Sequence, residues 1–162
     1  MRKSACFTGH REINEDTKKL YDNLYITLEK LIIEKGVSDF YAGGAVGFDT
    51  IAAKCVLSLR EKNKNIHLHL VLPCPNEEQT KGWSANEKYE FRAILSRADS
   101  VEYTSEHRTH ECMRIRNAKL AEHADSFCVC YYDTSVKSGT GQTVGFAKKK
   151  GLEVINLFGQ KL

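Results

Sequence analysis

Strand-like apolar runs alternate with helical patterns along this whole chain, and that alternation leaves few folds open. Strand patterns read at 4–8, 38–42, 66–72, 100–103, 126–132 and 153–158. Between them lie helical patterns at 15–35, 46–62, 85–98, 110–124 and 141–150. Leu20, Leu24, Leu28, Leu31 and Ile32 give the first helix its apolar stripe, and Ile51, Cys55 and Leu59 do so for the second. Gly36 and Gly151 stand where helix C-caps belong. Repeated strand–helix–strand units with right-handed crossovers build a mostly parallel sheet with helices on both faces. The expectation is a single Rossmann-like, doubly wound α/β domain over residues 1–162. The longest irregular stretch, Pro73 to Trp83, would lie over the strand ends as a lid or ligand wall.

Composition limits the function. A net charge of +3 neither demands nucleic acid nor excludes an anionic small molecule. The only basic run, Lys148-Lys149-Lys150, falls at a helix C-terminus, where solvated cations suit the dipole. Cys6, Cys55, Cys74, Cys112, Cys128 and Cys130 show no C-x-x-C pair and read as buried, reduced small hydrophobes. No metal site is expected: His67 and His69 share a strand face, but no further ligands can be placed. His107, His110 and His123 read as solvated. No apolar run approaches the roughly 20 residues of a membrane span. The N-terminal residues enter a strand directly, without the apolar core of a signal peptide. A cytoplasmic protein, with no membrane and no required cofactor, is expected.

Ligands of open α/β sheets bind beyond the carboxyl ends of the strands, where strand order reverses. Three segments should meet there. Thr8-Gly9-His10-Arg11 follows the first strand, and Gly43-Gly44-Ala45-Val46-Gly47-Phe48-Asp49 follows the second. Ser138-Gly139-Thr140-Gly141-Gln142-Thr143 comes after the fifth, beyond Asp133. Glycines let backbone approach a ligand, and new helices aim unpaired N–H groups at it. Convergence of these turns points to an anionic, phosphate-bearing ligand. Arg11 can grip a phosphate bidentately. His10 can donate to it, shuttle a proton or cap its own turn. Asp49 would repel a phosphate, so its functional role would be a ribose hydroxyl or a base N–H. Arg116 and Asn117 fall on the inner stripe of their helix with Met113 and Leu120, where polar groups need partners. Trp83 and Tyr89 can stack a base or serve packing.

These residues also resemble a known family. Cys6-Phe7-Thr8-Gly9-His10-Arg11, the Gly43–Asp49 loop, Pro73-Cys74-Pro75 with Trp83, Arg116-Asn117 and Ser138-Gly139-Thr140 look like the YpsA/YoqJ-like family of the SLOG superfamily, in order and spacing. The resemblance implies a Rossmann-like fold and a nucleotide-derived ligand of the ADP-ribose or NAD kind. It also implies kinship with the LOG phosphoribohydrolases and the DNA-processing protein DprA. Three departures stand out. Glu12 replaces the proline usual after Gly-His-Arg. Ser138 replaces a glycine. No glutamate follows the late Gly-Thr turn as it does in LOG enzymes. The first expectation is therefore binding or sensing of such a ligand, with a protein partner or homo-oligomer reading the bound state. The second is N-glycosidic hydrolysis with Asp49 or Asp133 as the acid/base or stabilising carboxylate. The third, from the likeness of Gly43–Lys54 to the DprA loop, is single-stranded DNA binding. Nucleic acid is disfavoured by the modest charge and the absence of a basic, aromatic strip.

Overall fold

Successive strand residues face opposite sides of a sheet, and here both sides are apolar. In β1 (Lys3–Gly9), Ala5 and Phe7 join one core while Cys6 joins a second. This is the pattern of a sheet covered on both faces. The computed structural model describes residues 2–160. β1, β2 (Val37–Ala42), β3 (His67–Leu72), β4 (Ser100–Tyr103), β5 (Phe127–Tyr131) and β6 (Glu153–Asn156) form one sheet in the order β4-β3-β2-β1-β5-β6. Every pairing is parallel, so the mostly parallel expectation sharpens to wholly parallel. Strand order reverses between β1 and β5, which places the switch point at the centre of the sheet.

The larger core lies under α1 (Thr17–Lys35), α2 (Phe48–Lys62) and α4 (Ala85–Arg97). The smaller lies under α5 (Cys112–His123) and α6 (Gly139–Lys150), where Leu120, Ala124 and Ala147 meet Cys6 and Cys128. All six cysteines are buried. The stretch from Pro73 to Trp83 is less irregular than expected, because α3 (Asn76–Gln79) forms within it. Trp83 packs edge-on against Phe91 with centroids 5.6 Å apart, and Tyr89 is exposed on α4.

Caps explain the shifted helix boundaries. α1 begins at Thr17 because the Asp16 carboxylate accepts from the N–H groups of Lys18 and Lys19. α6 starts two residues early, at Gly139, because the Ser138 hydroxyl accepts from Gly141 N–H. The basic run is exposed as expected, and one of its members also makes a cap, whereas His123 departs from the solvated expectation. Lys150 Nζ donates to the carbonyls of Ala121, Glu122 and Ala124, capping the end of α5. His123 is half-buried, stacked on Tyr41 at 4.8 Å and bonded to Glu102 Oε1 at 2.7 Å.

Candidate functional site

Two loops interlock at the carboxyl ends of the central strands. After β1 the chain turns through His10, whose N–H donates to the Tyr131 carbonyl of β5. The His10 carbonyl in turn accepts from Phe48 N–H at the start of α2. Gly47 makes this possible. Its φ is 80°, a left-handed conformation, and a Cβ there would collide with the Arg11 backbone. His10 Nε2 lies 2.8 Å from Asp133 N–H. A backbone amide can only donate, so Nε2 accepts and the ring proton sits on Nδ1. Of the roles open to His10, the geometry displays the cap of its own turn.

The glycine loop after β2 is less open to a phosphate than its sequence suggests. Ala45 N–H donates to Asp49 Oδ2 at 3.2 Å, and Phe48 N–H is taken by His10. Two of the amides expected to face an anion are thus engaged within the chain. The start of α6 differs. Ser138 takes Gly141 N–H, while the N–H groups of Gly139 and Thr140 have no partner among the described residues. The Asp49 carboxylate stands in the first turn of α2, whereas the first turn of α6 holds no carboxylate, so α6 has the more anion-attracting terminus.

Between these termini lies a crevice of about 360 Å³, within the range of small-molecule sites. Thr8, Gly9, His10 and Arg11 line its β1 side, and Ala45 and Asp49 line the β2 side. Arg116 and Asn117 come from α5, and Ser138, Gly139 and Thr140 from the start of α6. Gly43, Gly44, Gly47 and Gly141 do not line it; they set the packing behind it. A Cβ on Gly43 would lie 2.6 Å from Arg116 Nη1 and 2.9 Å from Asp49 Oδ2. A Cβ on Gly141 would lie 2.7 Å from the Tyr132 hydroxyl. Gly44 carries a φ of 71° and abuts Leu72. Asp133 stands off the crevice. Its carboxylate accepts from the N–H and hydroxyl of Ser135, which hold it below the ordinary carboxylate range.

Arg116 and Asn117 form a strut across the site. Arg116 Nη1 donates to the Gly43 carbonyl, and Nε donates to Asn117 Oδ1 at 2.9 Å. Asn117 Nδ2 then reaches the Gly139 carbonyl at 3.4 Å and Gln142 Oε1 at 3.2 Å. One helical turn of α5 thus joins the β2 loop to the start of α6. Arg116 and Asp49 are 4% and 5% exposed. Burial pushes the Asp49 carboxyl up, against the pull of Arg116, and pushes the Arg116 guanidinium down. Asp49 Oδ1 has no hydrogen-bond partner among the described residues.

Three lining residues were not anticipated: Met113, Leu120 and Gln142. Met113 and Leu120 stand three before and four after Arg116, on the same helix face, and their apolar character marked them as core alone. Gln142 lies one turn beyond Ser138, a spacing that would have placed it beside the cap. Among the described residues no cluster of three or more His, Cys, Asp and Glu side chains suits a metal ion. None of the described helices is long and apolar enough to cross a membrane.

The chain matches the YpsA family model, described as the YspA SLOG family, over residues 6–155. It is 32% identical over 148 residues to the uncharacterized SPbeta prophage-derived protein YoqJ of Bacillus subtilis (strain 168), covering 84% of each chain. It is 29% identical over 126 residues to the UPF0398 protein BH1768 of Halalkalibacterium halodurans, covering 76% of this chain. The match spans only 62% of that longer relative. The solved structure of TM1055, a Northeast Structural Genomics Consortium target, is similar in fold with a TM-score of 0.57 and 16% identity. That likeness covers 94% of this chain and 72% of the other.

Proposed function

The chain belongs to the YspA SLOG family, and from that premise we propose that it binds a phosphate-bearing, nucleotide-derived ligand of the ADP-ribose or NAD class. The ligand lies in the crevice at the β1/β5 switch point. Its phosphate meets the open amides of Gly139 and Thr140, with Ser138 and Arg11 beside them. Asp49 and Asn117 face its sugar or base. The observation that carries this reading is the unspent start of α6 opening onto a crevice that Arg11 and Arg116 also line. The bound state is read by a partner protein or a second copy.

Thermal stabilisation of the purified chain by AMP, ADP, ADP-ribose, NAD and a short single-stranded DNA tests it. A ligand at about 100 times its Kd adds about 2.7 kcal/mol of stability. The expected result is a shift with one nucleotide that Arg11→Ala abolishes. A shift with DNA alone, or with nothing, overturns the proposal.

Asp49 supports a second reading, cleavage of an N-glycosidic bond. A buried carboxyl raised above its ordinary value can carry a proton to a departing base. Release of free base from a nucleotide by the wild-type chain, and its loss in folded Asp49→Asn, would put this reading first.

A further inference from the structure

The arginines divide sharply by partner. Arg2, Arg60, Arg97 and Arg114 each pair with a carboxylate, and all four lie away from the crevice. Among the described residues, Arg11, Arg92, Arg108 and Arg116 have no such partner. Arg92 is exposed on the outside of α4. The other three meet at one place, a narrow slot of about 20 Å³ that shares Arg11, Ala45, Met113 and Arg116 with the crevice. Their fields overlap pairwise, Arg11 with Arg116 and Arg116 with Arg108. Arg11 adds its like charge to the burial that depresses Arg116. Arg108 and Arg116 both draw down the Cys74 thiol, which burial raises.

Arg108 is held in place there. Its N–H donates to Glu78 Oε2 at 2.6 Å, and its Nη1 donates to the Glu78 carbonyl at 3.4 Å. Two carboxylates stand nearby, Asp49 as the charge partner of the buried Arg116 and Glu78 bonded to the Arg108 backbone, and neither forms an ion pair with Arg11 or with the Arg108 guanidinium. Glu78 is also bonded to His107 at 2.9 Å, and Asp49 is held by Ala45 N–H and raised by burial. Unpaired like charges do not gather in a folded chain without cost, and guanidinium groups suit phosphoryl oxygens. The slot holds about one water, too little for a phosphoryl group, so only its mouth, lined by the exposed Arg11 and Arg108 with the buried Arg116, has room for one.

We propose that this mouth is a second anion subsite, which receives a second phosphoryl group of the ligand whose first phosphate lies at α6. The ligand class is then a nucleoside diphosphate or a pyrophosphate-bridged derivative, and Arg108 sets the preference over a monophosphate. The inference rests on the reading given under Proposed function.

Calorimetric titration of the full chain with AMP and with ADP tests it. ADP should bind about tenfold more tightly than AMP, the scale expected for added charge-assisted hydrogen bonds. Arg108→Gln removes the charge and leaves the backbone N–H bond to Glu78 in place. It should bring the two affinities within about twofold by weakening ADP alone, and Arg108→Lys should keep most of the preference. Equal wild-type affinities, or equal losses for AMP and ADP in Arg108→Gln, would overturn the second subsite and leave nucleotide binding at the start of α6 standing. Failure of the folded wild-type chain to bind either nucleotide would overturn both.

Discussion

Replacing Gly43 by alanine tests the strut directly. Gly43 does not have a positive φ, so alanine meets no backbone penalty there. The cost comes from space. The new methyl would sit 2.6 Å from Arg116 Nη1 and 2.9 Å from Asp49 Oδ2, both on buried side chains. Overpacking a filled interior costs about 1–3 kcal/mol. Moving the guanidinium instead relieves the clash but gives up its bond to the Gly43 carbonyl, worth about 1.5–3 kcal/mol for a charged donor. The two costs are alternatives and do not add. Against either stands about 0.4–1 kcal/mol gained from the stiffer unfolded chain. The expected net loss is about 1–2 kcal/mol, or a fall in Tm of about 2–8 °C for a chain of this size. Gly145→Ala supplies the control, because a Cβ there meets nothing within 4 Å in the middle of α6. It should raise stability by about 0.5–1 kcal/mol, so the same substitution has opposite signs at two positions. Urea unfolding of the three proteins measures both. A Gly43→Ala midpoint equal to or above the wild-type midpoint would refute the argument that Arg116 and Asp49 are wedged against that backbone.

Other perturbations have equally definite signs. The folded-state pKa of Asp49 is raised, so its contribution to stability is complete below the ordinary value of 3.8 and is lost as pH rises through the raised value. The wild type should therefore lose stability relative to Asp49→Asn as pH climbs from 3.8, and a pH-independent difference in urea midpoint would contradict this. Asp39 behaves oppositely. Burial pushes its carboxyl up, but hydrogen bonds from Arg2, His69 and Ser38 outweigh that and hold it down. Its stabilisation is present above 3.8 and fades as pH falls through the lowered value, a fading that Asp39→Asn should remove from acid-unfolding curves. Lys150→Met should cost about 1–2 kcal/mol in thermal unfolding by stripping the cap from α5, whereas Lys149→Met should cost almost nothing.

Much of this architecture could be read from periodicity. The strand at 100–103 falls on β4 residue for residue, and the alternation of the other segments led directly to the parallel sheet. Boundaries moved wherever a cap decided them, as at Asp16 and Ser138, because a side-chain hydrogen bond leaves no periodic trace. The crevice wall was legible where polar residues broke an apolar stripe, as Arg116 and Asn117 do. It was hidden where lining residues look like core, as Met113 and Leu120 do. The engagement of the Gly43–Asp49 loop could not be read from composition. It depends on a carbonyl contributed by His10, far away in the chain. Arg108 escaped notice because nothing local separates it from an ordinary surface arginine; only the pairing of the other arginines singles it out.

The interlock of Gly47 with the Arg11 backbone also constrains inheritance. The turn after β1 and the turn after β2 touch backbone to backbone, with Phe48 N–H closing on the His10 carbonyl. An insertion in either turn would push on main chain that has no side chain to retract. Lineages descending from this protein can therefore change the length of one turn only alongside a matching change in the other. Damage at Gly47 should be repaired by second-site revertants near His10 and Arg11, although these positions are remote in the gene.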